Sequence, residues 1–96
     1  MEKIFSPCIK YRTIDNPNQD MFAVSYDHAS CYNVLRFLDI YENKRTMCVE
    51  GFITMDNRFV NRREAYQIAK NAGQLVREDP SEVLKSYNVR CANTNV

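Results

Sequence analysis

GFITMDNRFVNRREAYQIAKNAGQ, residues 51–74, sets the architecture of this 96-residue chain. MCVEGFIT (47–54) reads as a strand, with Gly51 marking a bulge or a close backbone approach. Asp56-Asn57 suits a tight turn, because Asn tolerates the left-handed conformation, and Arg58-Phe59-Val60 returns briefly as strand. Asn61 starts a helix. N-R-R-E is a relative of the capping box, in which Asn61 accepts from a first-turn N–H and Glu64 reaches back to the Asn61 N–H. Ala65, Ile68, Ala69 and Ala72 form a narrow small-residue stripe, and Gly73 supplies the stop. One feature runs against helix electrostatics. Arg58, Arg62 and Arg63 crowd the end where unpaired N–H groups already act as positive charge. Either they point into water or an anion belongs in that corner.

Working outward, CIKYRTI (8–14) alternates apolar and polar and predicts a half-buried strand. DNPNQD (15–20) is a turn cluster, and MFAVSY (21–26) a second strand, so the pair forms an antiparallel hairpin. Asp27 caps a helix over 28–40, whose Cys31, Val34, Leu35 and Leu38 recur at three- and four-residue spacing. YENKRT (41–46) is a charged connector. Asp79-Pro80-Ser81-Glu82 predicts a further helix start, with Val83 and Leu84 offering little apolar surface. The tail CANTNV reads as loose. Two hairpins with two or three helices predict a single α+β domain over 1–96: a small antiparallel sheet of about four strands with helices on one face.

Hydrophobic residues make up 45% and charged residues 26%, as in folded soluble domains. A core this thin often gains stability by oligomerisation. The formal net charge of +1 lacks the basic excess of a nucleic-acid-backbone binder, yet allows a local site for a small phosphate. Cys8, Cys31, Cys48 and Cys91 are evenly spread beside one histidine, which disfavours a zinc site. With no apolar run of spanning length and no signal peptide, the expectation is a cytoplasmic protein with free thiols. No nucleophile motif, H-E-x-x-H or Walker loop occurs, and His28 with Cys31 shares the buried stripe, so no enzyme is expected.

The candidate ligand cluster is Arg58, Asn61 and Arg62 at the helix start, where N–H donors, dipole and guanidinium forks all favour phosphate. Phe52 and Phe59 on the adjacent hairpin offer rings for a base. Arg12, Arg77 and His28 are further donors that could converge there. On the residues alone the plainer reading is the better supported: Asn61 only caps, and the arginines are solvated or paired with Asp56 and Glu64.

The 51–75 stretch resembles the signature of a family of small phage proteins: a Gly-Phe strand, a turn, Arg-Phe-Val-(Asp or Asn)-Arg, a Glu-Ala helix and a closing Gly-Gln. SPCIKY resembles that family's first strand, and Tyr26 to His28 sits where it often has Arg-His. The family includes the first type of Thoeris anti-defence protein, sponges that bind a cyclic ADP-ribose signal made by bacterial TIR-domain proteins without cleaving it. The resemblance implies a phage sponge for a cyclic ADP-ribose isomer, acting in the cytoplasm of the infected host. It also implies a homo-oligomer (dimer or hexamer) with sites at subunit junctions, no cofactor, no metal, no nucleic-acid polymer and no membrane. The matched positions are Phe52, Arg58, Phe59, Asn61 and Arg62. Two positions depart from the pattern: Asp27 replaces the usual Arg, and LKSYNVR replaces an acidic C-terminal motif, so that Arg77 or Arg90 either substitutes for it or plays no part. The alternatives are a sponge for cyclic di- or trinucleotides and an interaction protein that inhibits a host factor.

Overall fold

A computed structural model describes residues 1–94. Four antiparallel strands, β1 (Ile4–Thr13), β2 (Met21–Val24), β3 (Arg45–Thr54) and β4 (Phe59–Val60), form one sheet in the order β2-β1-β3-β4. Two helices, α1 (His28–Phe37) and α2 (Arg62–Asn71), complete the α+β fold. Residues of like parity point to one face of a strand. The register therefore puts Ile9, Tyr11, Ala23, Glu50 and Phe52 on one face, beneath the helices. Lys10, Phe22, Val49 and Phe59 lie on the other, open face.

β1 starts four residues earlier than the alternation predicts, and it does so through Pro7. The Pro7 carbonyl accepts from Ser25 N at 3.5 Å, on the side where β2 has already ended. The missing proline N–H points the same way, so it removes no ladder bond. α1 stops at Phe37, short of the predicted 40. Asp39 adopts φ 58°, Asp39 N donates to Arg36 O at 3.0 Å and Ile40 N to Leu35 O at 2.8 Å, a Schellman ending. Gly73, at φ 70°, ends α2 in the same way, with Gln74 N on Ala69 O at 2.8 Å.

Two further expectations are corrected. Asp79-Pro80-Ser81-Glu82 is a turn and not a helix start: Glu82 N donates to Asp79 O at 2.9 Å, Ser81 N to the Asp79 carboxylate at 2.9 Å, and Glu82 has φ 53°. Leu84 then enters the core fully buried, beside Phe52, Val60, Ala65, Tyr66 and Ala69. The tail is docked as far as it is described. Cys91 is buried, and Asn93 Nδ2 donates to Ser6 Oγ at 2.8 Å. Asn95 and Val96 lie outside the described residues.

Gly51 is a close approach, as its place in the strand implies. A Cβ there would stand 2.4 Å from Val60 O and 2.5 Å from Phe59 Cζ. The register shifts fall elsewhere, between Ile4 and Ser6 and between Arg12 and Thr13. In a flat sheet β2 and β4 would stand about 14 Å apart, three spacings of ~4.8 Å. Phe22 and Phe59 nevertheless meet with ring centroids 6.0 Å apart, because the sheet curls and Phe59 lies across Gly51.

Candidate functional site

Arg58, the first residue of the expected anion corner, sits at the tip of the second hairpin. Its Nη2 meets Glu2 at 2.8 Å and its Nη1 meets Glu64 at 2.9 Å. Glu64 is the partner the sequence suggested; Glu2, far off in the chain, takes the place assigned to Asp56. Arg62 donates to Glu50 Oε1, and Tyr32 donates to the other Glu50 oxygen at 2.8 Å. Arg63 reaches only Ser81 O, at 3.4 Å. Arg58 and Arg62 thus face three carboxylates between them, which balance the three cations of the corner, Arg63 included, and leave it no surplus charge for a ligand. Asn61 caps α2, its Oδ1 accepting from Glu64 N at 2.8 Å.

The aromatic partners do not converge on this corner either. Phe52 is fully buried among Ile4, Val60 and Tyr66, so its ring is closed to a base. His28 is buried at the head of α1. Its Nε2 donates to Gly51 O at 2.7 Å, which leaves Nδ1 to accept from Ser86 Oγ at 2.8 Å, and its ring stands edge-on to Phe52. Burial is the main reason its pKa lies below the ordinary value, with the Gly51 hydrogen bond opposing. It is a neutral core residue. Phe59 lies half-buried on the open sheet face, under the Lys10 ammonium at 5.0 Å from the ring centroid. Arg12, opposite Met47 near the start of β3, pairs with Asp20 at 2.7 Å, at the far end of the sheet from Arg58. Arg77 is exposed after α2 and forms no ion pair among the described residues.

Concave surface lies elsewhere, between the outer side of α1 and the start of β3. Tyr32, Leu35, Arg36, Ile40, Tyr41 and Arg45 line a cleft of about 630 Å³. An adjoining depression of about 430 Å³ shares Tyr32 and Arg45 and runs to Cys48. Helical spacing sets Tyr32 and Arg36 on one side of α1, four residues apart. The Schellman turn after Phe37 then brings Ile40 back against Leu35 and aims the connector across the cleft.

Arg45 is unlike the other arginines of interest. Its guanidinium carbon stands 5.5 Å from the Tyr32 ring centroid, and its Nη1 reaches only the Cys48 sulfur, at 3.5 Å. Its Nε is shielded from solvent without a hydrogen-bond partner, as is that of Arg62, but Arg62 is held by Glu50 whereas no carboxylate pairs with Arg45 among the described residues. Arg36 donates to Asn33 at 2.8 Å, and Lys44 Nζ stands 6.0 Å from the Tyr41 ring centroid. A cleft with two phenol rings and two guanidinium groups, one of them half-satisfied, against the single carboxylate of Glu42 suits a planar anionic ligand. Burial, with the Glu50 hydrogen bond second, raises the Tyr32 pKa, so that ring stays a neutral phenol.

The sequence reading passed over this cleft because YENKRT looks like a solvated connector. The available signal was the Tyr32/Arg36 spacing followed by a second Tyr-Arg pair, Tyr41 and Arg45. The buried thiols offer no chemistry to compare with it, since burial pushes Cys8 up to about 12 and Cys31 and Cys91 up to about 11.

Among the described residues no helix is long and apolar enough to cross a membrane. No curated protein and no solved structure matches the chain. Residues 3–89 match the family model described as Phage T4 y16D protein. Nearly the whole described fold lies within that match, from β1 to the buried Val89, and the chain therefore belongs to this family of small phage proteins.

Proposed function

We propose that this phage protein is a non-catalytic sponge that sequesters a cyclic ADP-ribose isomer, the signal of TIR-domain immunity, in the cytoplasm of the infected host. The resemblance of residues 51–75 to the anti-Thoeris signature supports the choice of ligand, and membership of a phage protein family supports the setting. The observation that carries the site is Arg45, a guanidinium between two tyrosine-lined depressions with a shielded Nε and no carboxylate partner.

In this reading Tyr32 and Tyr41 flank the adenine, while Arg45 and Arg36 hold the diphosphate from one side. A cation on the face of an aromatic ring loses little of that contact when a phosphate approaches its edge, so Arg45 can serve both. Sequestration works by mass action: free signal falls when the protein is near-stoichiometric and binds tightly. A homo-oligomer would multiply the sites, and the ligand leaves unchanged.

Isothermal calorimetry with cyclic ADP-ribose isomers, with cyclic dinucleotides run in parallel, tests this. A saturable heat with an isomer, followed by recovery of intact ligand on mild heating, is the expected result. Heat only with cyclic dinucleotides would move the ligand class, and recovery of a hydrolysed product would refute the non-catalytic reading.

A further inference from the structure

Among the arginines at the head of α2, Arg62 meets an anion that the chain itself supplies. The Asn61 cap and a hydrogen bond from Leu84 N to Arg62 O, 3.0 Å, fix the first residue of the helix in place. From there its guanidinium donates to Glu50 Oε1. The helix dipole adds to the same attraction. Tyr32 of α1 donates to the other oxygen at 2.8 Å. One carboxylate on β3 thus has both oxygens taken, one from each helix.

Glu50 lies on the covered face of the sheet, and its side chain is 33% exposed. A carboxylate so placed has lost much of its water and must find donors in the protein. A second cation ends close by. Arg45 Nη1 stands 3.5 Å from Cys48 Sγ, and the Tyr32 hydroxyl that holds Glu50 stands 3.8 Å from the same sulfur. Side-chain rotation alone would let a released Glu50 meet Arg45 across Tyr32.

We propose that Arg62 is a positioning residue of the cleft: by capturing Glu50 it keeps that carboxylate off Arg45 and leaves the Arg45 guanidinium for the ligand. This rests on the reading of the cleft as the ligand site. Neither neighbour can replace Arg62, since Arg58 is held by Glu2 and Glu64 and Arg63 reaches only Ser81 O. Glu42, which lines both depressions, is not an equal competitor for Arg45. It is exposed and forms no ion pair among the described residues, and pairing solvated groups gains little. Desolvation makes Glu50 the carboxylate that must be held away.

A ligand-free crystal structure of the full chain carrying Arg62→Met, which removes the charge and keeps the aliphatic stem, tests the arrangement itself. Arg45 is expected to pair with Glu50 there, N···O within about 4 Å. Arg45 remaining clear of Glu50 overturns the proposal. Calorimetry with the cyclic ADP-ribose isomer that the wild type binds reads the consequence. Arg62→Met is expected to weaken binding at least about tenfold. Adding Glu50→Gln is expected to bring the affinity back to within about threefold of the wild type, because an amide has no charge with which to claim Arg45. A purely structural role for Arg62 predicts no such recovery. Arg62→Ala, the better helix former, carries the same expectations should Arg62→Met fail to fold. Unchanged affinity without Arg62, or a loss that Glu50→Gln does not relieve, overturns the proposal. A wild type that binds no isomer, together with an Arg45–Glu50 pair in the variant crystal, removes the sponge reading and leaves Arg62 as the group that keeps Arg45 free.

Discussion

The Gln74 side-chain amide takes both backbone groups of Ile4: Ile4 N donates to its Oε1 at 2.8 Å, and its Nε2 donates to Ile4 O at 2.9 Å. The same Nε2 reaches Arg90 O at 3.1 Å, and Gln74 O accepts from Arg90 N at 2.8 Å. One residue after α2 therefore acts as a strand partner for the start of β1 and ties in the C-terminal segment. The closing Gly-Gln of the signature stretch is accounted for by folding: Gly73 ends the helix, and Gln74 clamps the termini.

Gln74→Ala orphans two buried backbone groups of Ile4, at ~1–3 kcal/mol each. The expected loss is roughly 2–4 kcal/mol in urea unfolding, with Gln74→Glu also destabilising because a carboxylate has no donor for Ile4 O. A change within about 0.5 kcal/mol would show that water or a shifted strand replaces the clamp.

Gly51→Ala has no room. The nearest obstacle, Val60 O at 2.4 Å, is backbone, so β4 itself must shift. A loss of about 1–3 kcal/mol is expected from this overpacking. The double variant with Phe59→Leu should recover only part of it, since the Val60 contact remains. Full recovery would assign the strain to the ring alone.

Arg45→Ala and Arg58→Ala separate the cleft from the corner that the sequence favoured. Arg45→Ala is expected to weaken ligand binding about 10–150-fold, the ~1.5–3 kcal/mol of a charge-assisted hydrogen bond. Arg58→Ala leaves binding unchanged, because Glu2 and Glu64 already occupy that guanidinium. Asn61→Ala costs about 1 kcal/mol as a lost cap and nothing in affinity. Calorimetry reading the reverse order for the two arginines would return the site to the hairpin tip.

His28 sets the pH dependence near neutrality. Its folded pKa lies below the ordinary 6.5, mainly through burial, with the Arg62 charge adding and Glu50 and Asp27 opposing. As pH falls through 6.5 the unfolded chain takes up a proton that the folded chain refuses, so stability declines on the acid side. Asp79, held down to about 2 chiefly by hydrogen bonds from Ser81, contributes above 3.8 and loses that contribution as pH falls toward 2. Thermal melts from pH 7.5 to 5 should fall steadily in the wild type and flatten in His28→Gln. Equal slopes would exclude His28 as the source.

Local chemistry made much of the fold readable. The caps at Asp27 and Asn61 each close a bond to a residue three positions on, at 2.7 and 2.8 Å, and Gly73 ends its helix where the sequence places it. The strand periodicity and the Gly51 approach are equally local. The site was less legible. Phe52, Arg58, Phe59, Asn61 and Arg62 read as a ligand motif, yet their contacts in the protomer are folding contacts. Arg45 read as part of a connector, and it stands out only once α1 and β3 are packed.

What the sequence by itself determined is the set of elements and their ends, because caps, turns and alternation act within a few residues of chain. Tertiary structure decided what each polar group faces. Glu2 and Arg58 are separated by 56 residues, His28 and Ser86 by 58, and Gln74 and Ile4 by 70, so no spacing rule could pair them. Those closures neutralise the arginine corner, bury Leu84 and Cys91, and leave Arg45 without a carboxylate. An arginine's charge is fixed by its side chain, but whether a ligand can use it depends on which carboxylates the folded chain has already brought to it.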